Sequence, residues 1–231
     1  MDINEDIEMF TKMRTCGILL VAALSLPAAA NAATIFDFAA IADGDSSYGI
    51  AGGERGAPSF TFTKDGLSMT ATGYNTDTGA AYNAYLDSYS GGPGGLGVCE
   101  NLTSGNQCNP NTDDNVTYQE SLQLVFDQKV TIDLTTFRNG DHLTNFSGDF
   151  NLQIDGGAVN TYSLVNLFNT PITGTTFIFS NPNSGGGSYV SNDQQFYINA
   201  LSVNPVPVPA AAWLFASGLL GLVGVARRRQ S

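Results

Sequence analysis

The sequence predicts an all-β protein, a two-sheet β-sandwich or jelly roll, with an apolar helix at each end of the chain. Two observations on the middle of the chain favour this class. Short runs of alternating apolar and polar residues recur between residues 33 and 204, and this alternation is the pattern of half-buried strands. No run in the same stretch carries an apolar stripe of helical period. Many short strands bounded by turn residues are typical of sandwiches and jelly rolls.

The individual strands are predicted from these alternating runs. They are residues 34–38, 59–63, 67–71, 122–126, 130–134, 150–154, 176–179 and 196–201. Three dipeptides of the kind that closes tight hairpins lie among them: Asp65-Gly66, Asn139-Gly140 and Asp155-Gly156. Asn, Asp and Gly tolerate the positive φ angles that two-residue hairpin turns require. We therefore expect a hairpin at each of these pairs.

The N-terminal segment has the three parts of a secretory signal peptide. Met13 and Arg14 precede an apolar stretch, and the small residues that end at Ala32 fit the cleavage rule. We expect residues 1–32 to form a signal helix that is removed after Ala32. Because the residues before Met13 are acidic, Met13 is an alternative start of the chain. The other interpretation of the apolar stretch is a buried core helix.

The C-terminal segment predicts a single transmembrane helix. Residues 210–226 carry no charge, and at about 1.5 Å per residue they reach roughly 25 Å, which suffices for a thin bilayer. Arg227, Arg228 and Arg229 follow directly. Since basic residues stay on the cytoplasmic side, the body of the protein is expected outside the cytoplasm.

The whole tail, residues 205–231, resembles a PEP-CTERM sorting signal in the order of its parts. Its motif is Val206, Pro207, Val208 and Pro209, followed by the apolar helix and the arginines. Val208 stands where that family has glutamate. The resemblance implies recognition by an exosortase, cleavage near the proline motif and an inner-membrane intermediate. It also implies delivery to the cell surface or extracellular matrix of a Gram-negative bacterium.

The body of the chain resembles exported proteins that carry this sorting signal. The resemblance rests on residues 85–87, 94–99, 113–115 and 120–126. The function of those proteins is mostly unassigned, so the resemblance implies a β-sandwich fold and no particular activity.

The charge of the chain excludes two classes of partner. The formal net charge is −12, and residues 33–204 form one domain with few basic side chains: Arg55, Lys64, Lys129 and Arg138. Nucleic acids and anionic lipids are recognised by Lys and Arg, so neither is expected to bind this domain. The acidic surface favours solubility and cation binding.

A glycine-rich stretch beginning near Ser90 predicts an irregular insert that runs to about Asn115. Cys99 and Cys108 lie within it and are the two cysteines that remain after signal removal. In an exported protein, a pair at this spacing predicts a local disulfide. A metal site would need more Cys or His ligands at matching positions.

Acidic and amide side chains in and beside this insert predict a structural calcium ion. Loop carboxylates and carbonyl oxygens are the ligands that Ca²⁺ prefers, six to eight at a time. The candidate ligands are Asp87, Glu100, Asp113, Asp114, Asn115 and Glu120. The alternative interpretation is a solvated acidic loop.

No sequence motif of nucleophilic catalysis is present. The single histidine, His142, follows Asn139-Gly140-Asp141 and is predicted to be a hydrogen-bonded turn residue. We therefore expect a protein that is not an enzyme.

The predicted function is that of an exported surface or extracellular-matrix protein that binds polysaccharide. Tyrosines suit stacking on sugars at a wet surface, and the candidates are Tyr74, Tyr82, Tyr85, Tyr89 and Tyr118. The alternative is that these rings belong to the core. The competing function is a secreted carbohydrate-active hydrolase, because a catalytic carboxylate pair is not revealed by sequence spacing. Two carboxyl groups that share a cleft would favour the hydrolase.

Overall fold

The computed structural model describes residues 32–89, 92–165, 168–182, 190–207, 215 and 218. The chain divides into two compact units, Met1–Ala30 and Asn31–Ser231, and the described residues belong to the second. Several predicted features lie outside the described residues: the signal peptide except Ala32, most of the membrane helix, Val208, Pro209, Arg227, Arg228 and Arg229. Among the described residues, no helix has the length and apolar character that a membrane crossing requires.

Strands make up most of the described part, so the all-β prediction is confirmed. They are β1 (Thr34–Asp37), β2 (Arg55–Ala57), β3 (Phe60–Lys64), β4 (Leu67–Asn75), β5 (Ala81–Tyr89), β6 (Gly92–Cys99), β7 (Glu120–Arg138), β8 (Asp149–Ile154), β9 (Val159–Ser163), β10 (Ile172–Ser180) and β11 (Tyr197–Pro205). A short helix, α1 (Phe38–Ala42), follows β1, and its first turn is capped by Asp37, whose side chain accepts a hydrogen bond from Ala40 N. A 3₁₀ turn covers Asn192–Gln194.

Strand pairing connects all described strands into one antiparallel sheet. The order is β1-β11-β6-β5-β4-β7-β10-β8-β9, with β2 on β5 and β3 on β4. β11 also pairs with β7, and it meets β6 at Ile198 and Leu96. Strands β11, β6, β5, β4 and β7 therefore form a closed circuit of hydrogen-bonded neighbours. The division into two separate sheets stays a prediction.

The two strands predicted at 122–126 and 130–134 are a single strand, β7. Leu122, Leu124 and Phe126 are buried, and the alternation continues in the same phase at Val130 and Ile132. The exposed residues between them contain no Gly, Pro or Asn that would force a turn. One long strand therefore pairs with β4 and β10 and continues to β11.

The predicted irregular insert is wrong in its first half, because Gly92–Cys99 is the buried strand β6. Its glycines allow other backbones to approach closely. A Cβ atom on Gly95 would lie 2.4 Å from the carbonyl oxygen of Ile198. One on Gly97 would lie 2.1 Å from the carbonyl oxygen of Asp114. The glycine-rich sequence is needed here because neighbouring backbones pack where a Cβ atom would lie, and it does not indicate an irregular loop.

Two of the three predicted hairpins are confirmed. Asp65-Gly66 joins β3 to β4, and Asp155-Gly156 joins β8 to β9, with positive φ at each of these residues. Asn139-Gly140 does not close a hairpin. It opens a loop between β7 and β8, and both of those strands pair with β10.

The core is one contiguous cluster of aliphatic and aromatic side chains from α1 and most of the strands. A smaller cluster lies beside it, formed by Tyr85, Cys99 and Cys108 with Leu102 packed against them. The predicted disulfide between Cys99 and Cys108 is confirmed, with the two Cα atoms 5.8 Å apart. It closes a short loop at the end of β6, and the chain continues from Cys108 towards Asp114.

Candidate functional site

A polar pocket of about 360 Å³ opens at the ends of several elements. We call it the histidine pocket. Its lining residues are Glu54, Asp87, Tyr89, Asn111, Thr112, Asp114, Asn115, Gly140, Asp141, His142, Asn192, Gln195 and Tyr197. They come from the residue before β2, from β5, from the segment that follows Cys108, from the turn after β7, from the 3₁₀ turn and the residue after it, and from the start of β11. Six of them form what we call the pocket floor: Asp87, Asp114, Asn115, His142, Gln195 and Tyr197.

A buried asparagine holds His142 in position. The Asn139 side-chain oxygen accepts hydrogen bonds from the backbone N–H groups of Asp141 and Leu143, at 3.0 and 2.8 Å. Its Nδ2 donates to the carbonyl oxygen of Asn145 at 2.7 Å. His142 itself has a φ of 63°. The turn that the sequence predicts is therefore a rigid support for the imidazole ring.

The imidazole of His142 lies between two acceptors. Nδ1 is 2.6 Å from the carbonyl oxygen of Gly92, and Nε2 is 2.6 Å from Asp87 Oδ2. The doubly protonated ring is the form that can donate to both. The contact with the Asp87 carboxylate raises the pKa of His142, against the opposing effect of burial. His142 and Asp87 therefore form a largely buried ion pair.

Asp114 lies next to this ion pair and accepts a hydrogen bond from the hydroxyl of Tyr197, 2.6 Å from Asp114 Oδ1. Burial raises the pKa of Asp114 to about 7, and the charge of Asp87 acts in the same direction. Burial and the charge of Asp114 also raise the pKa of Tyr197 well above its ordinary value. Near neutral pH Asp114 therefore holds a proton far more readily than an exposed aspartate does.

Asn115 is fixed by a relay of amide groups. Its Nδ2 donates to Gln195 Oε1 at 2.8 Å, and Gln195 Nε2 donates to the carbonyl oxygen of Val190 at 2.8 Å. This series of two hydrogen bonds determines which atom of the Asn115 amide is the oxygen. Asn115 Oδ1 has no hydrogen-bond partner although it is buried.

The six predicted calcium ligands do not form one site. Asp87, Asp114 and Asn115 line the histidine pocket. Glu100 is exposed outside it, and its backbone N–H donates to Asp113 Oδ2 at 3.4 Å. Burial raises the pKa of Asp113 to about 6.

Glu120, the last of the six predicted calcium ligands, is buried on β7 and accepts a hydrogen bond from Thr117 N at 3.0 Å. Burial raises the pKa of Glu120 well above its ordinary value. Among the described residues, no group of three or more His, Cys, Asp or Glu side chains is placed to hold a metal ion. The calcium ion stays a prediction.

One of the five tyrosines considered for sugar binding lies at this pocket. Tyr89 is 70% exposed, and its ring meets His142 edge-on at 6.0 Å between ring centroids. Tyr85 is buried, and its hydroxyl donates to Glu54 Oε1 at 2.9 Å. Tyr82 and Tyr118 are partly buried and do not line the histidine pocket.

Tyr74 lines a second cavity of about 470 Å³ on strands β4, β7, β8 and β10. The residues lining it are uncharged: Tyr74, Asn75, Thr76, Gly79, Ser121, Gln123, Asn151, Gln153, Val159, Ile178 and Ser180. We call it the neutral groove. Of the predicted sorting motif, Val206 and Pro207 are described, and Val206 N donates to the carbonyl oxygen of Lys129.

Sequence reasoning predicted a hydrogen-bonded turn histidine but missed its partners. Asp87 precedes His142 by a long stretch of chain, and Tyr197 follows it at a similar distance. No local pattern links the three. A single histidine in a turn that is held by Asn139 was the one signal available in the sequence.

No family model, curated protein or solved structure matches this chain. The assignment of function therefore rests on the residues and on their geometry.

Proposed function

We propose that the chain is an exported surface or extracellular-matrix protein that binds polysaccharide in the histidine pocket. The observation that carries this proposal is the combination of a polar floor with an exposed ring, Tyr89, at its edge. Sugars present hydroxyl groups in a ring plane and apolar C–H groups on its faces. Carboxylate and amide side chains bind the hydroxyl groups, and an aromatic ring packs against the C–H face.

Export and sorting are the second part of the proposal. They rest on the sequence of residues 1–32 and 205–231, with a membrane helix at 210–226, and on the resemblance to PEP-CTERM signals processed by an exosortase. The final location is the surface or matrix of a Gram-negative bacterium. The disulfide supports an oxidising compartment. A two-layer arrangement of the strands and a structural calcium ion in the loop after β6 belong to the same proposal.

A glycan array tests the binding function directly. The full chain, purified in a mild non-ionic detergent, is applied as wild type, Tyr89→Ala and Gln153→Ala. Tyr89 is an exposed ring at the pocket, and Gln153 lines the neutral groove, so each variant probes one cavity. We expect binding that Tyr89→Ala reduces at least tenfold and Gln153→Ala leaves unchanged. Absence of any bound glycan, or loss with Gln153→Ala alone, would contradict the proposal.

The alternative is a carbohydrate-active hydrolase, and the interaction between Asp87 and Asp114 favours it as the second candidate. A protonated carboxyl group beside an ionised one is the arrangement that glycoside hydrolysis uses. Asp114 would act as the acid and Asp87 as the base or nucleophile. Release of reducing ends by the wild type but not by Asp114→Asn would establish the hydrolase, whereas intact recovery of a bound oligosaccharide would establish binding alone.

A further inference from the structure

The donor atoms of the pocket floor make contacts within the protein, whereas a buried acceptor of the floor has no partner. The hydroxyl of Tyr197 donates to Asp114, and Nδ1 of His142 faces a backbone carbonyl oxygen. The amide nitrogens of Asn115 and Gln195 also donate within the protein. Each donor atom of these described floor residues thus makes at least one contact within the protein, including His142 Nε2 with Asp87, and the second N–H of each amide nitrogen is left over.

The acceptors without an aligned hydrogen bond include two deeply buried oxygens. Asn115 Oδ1 and Asp87 Oδ2 have no hydrogen-bond partner within the described part of the chain. Both residues are only 3% exposed. Asp87 Oδ2 nevertheless lies 2.6 Å from His142 Nε2 in the ion pair, so of the two oxygens only Asn115 Oδ1 lacks a polar contact. Buried acceptors without partners are costly, so a ligand that supplies donors is favoured at this point.

The charge of the residues that line the pocket also favours a ligand with positively charged donor groups. Four lining residues are acidic, namely Glu54, Asp87, Asp114 and Asp141, and His142 is the one basic residue among the described lining. Asp87 already balances the charge of His142. The side chains of Glu54 and Asp141, together with ionised Asp114, attract a cation and repel sulfate, phosphate or a uronic acid.

We propose that the histidine pocket binds the protonated primary amine of an amino sugar. This inference rests on the proposed polysaccharide-binding function and names its ligand class. An alkylammonium group has three donors and no acceptor, which suits a floor with acidic side chains and with a buried acceptor, Asn115 Oδ1, that lacks a partner. A sugar hydroxyl supplies one donor where the ammonium group supplies three, and it carries no charge to attract the carboxylates. Tyr89 at the rim contacts the pyranose ring that carries the amine.

A metal ion suits the same floor less well. Among the described residues, no set of three or more metal-binding side chains converges. The protonated His142 ring also lies against one of the two buried oxygens. An ammonium group can bind at Asn115 Oδ1 and Asp114 without displacing that ring.

Titration calorimetry on the full chain in non-ionic detergent tests this inference. The ligands are tetramers of glucosamine, of N-acetylglucosamine, of glucose and of glucuronic acid, together with 1,4-diaminobutane. We expect the glucosamine tetramer to bind at least tenfold more tightly than the N-acetylated and glucose tetramers. We expect no binding of the glucuronic acid tetramer. The diamine is expected to bind at least tenfold more weakly than the glucosamine tetramer.

Two variants locate the amine, and one serves as a control. Asn115→Ala removes the unpaired oxygen and should weaken glucosamine binding at least tenfold. Asp141→Asn neutralises an exposed carboxylate at the rim, and the asparagine oxygen can still accept from Asn192 Nδ2, so this variant should weaken glucosamine binding severalfold. Gln153→Ala should change nothing.

The outcomes separate the inference from the function. Equal binding of the glucosamine and N-acetylated tetramers would overturn the amine inference and leave polysaccharide binding intact. Equal binding of the diamine and the glucosamine tetramer would overturn the sugar part. Glucosamine binding that is unaffected by both Asn115→Ala and Asp141→Asn would overturn the location. No binding of any oligosaccharide would overturn the proposed function as well.

Discussion

Replacing Asp114 by asparagine should make the stability of the protein less dependent on pH. Folding raises the pKa of this carboxyl from 3.8 to about 7, mainly through burial. The folded state therefore binds a proton more readily than the unfolded state, so stability falls as pH rises through this interval. For this shift, linkage gives a loss on the order of 3 kcal/mol between pH 4 and pH 7. Asparagine carries no charge, and its side-chain oxygen can still accept from Tyr197.

The measurement is urea unfolding of the full chain in non-ionic detergent between pH 4 and pH 8. We expect Asp114→Asn to match the wild type near pH 4 and to be more stable at pH 7 and above. Asp127→Asn is the matched control, because it removes the same charge from an exposed position on β7. The pH profile of that variant should run parallel to the wild type. If Asp114→Asn also runs parallel, the burial and coupling assigned to Asp114 are wrong.

Four further predictions follow from the packing and from the termini. Gly97→Ala should destabilise the fold by about 1–3 kcal/mol through overpacking, whereas Gly105→Ala, whose Cβ would meet nothing closer than 3.8 Å, should be neutral in the same urea assay. Cys99→Ser should lower stability by about 2–3 kcal/mol, since it opens a short loop, and equal unfolding midpoints would contradict this. If calcium binds the folded chain, a hundredfold excess over Kd should stabilise it by about 2.7 kcal/mol, and identical melting in calcium and in chelator would exclude such a site. Mature protein from the native host should begin at Ala33 and lack the arginine tail, which an intact mass of the full-length chain at the cell surface would disprove.

The strands that sequence reasoning located are those with a clear local alternation. The runs that became β3, β4 and β8 keep their apolar residues in one phase and end near turn residues. β5 and β6 were missed for opposite reasons. β5 has a continuous buried stretch from Ala84 to Asp87 that includes a carboxylate, and β6 is rich in glycine. Glycine is unfavourable for strand propensity, and what places it in β6 is the close approach of β11 and of the loop that carries Asp114.

The candidate site could be predicted only in part. The acidic residues near the disulfide were recognised as a group, and three of them line the histidine pocket: Asp87, Asp114 and Asn115. Glu120, on the same list, lies instead within the body of the protein, because its position on β7 places it on the buried face. His142 was placed in a turn, but its ion pair with Asp87 could not be foreseen.

The sequence by itself determined the properties that local chemistry controls. Alternation of apolar residues gave the all-β class, the spacing of Cys99 and Cys108 gave the disulfide, and two Asp-Gly pairs gave hairpins. Tertiary structure alone decided which polar residues meet. His142, Asp87 and Tyr197 belong to separate elements. They come together because β5, β6 and β11 are neighbours in the sheet and because β11 also pairs with β7, whose following loop carries His142. The pKa of Asp114 also depends on the tertiary structure. It is raised by burial and by the charge of Asp87, and not by the residues next to Asp114 in the chain.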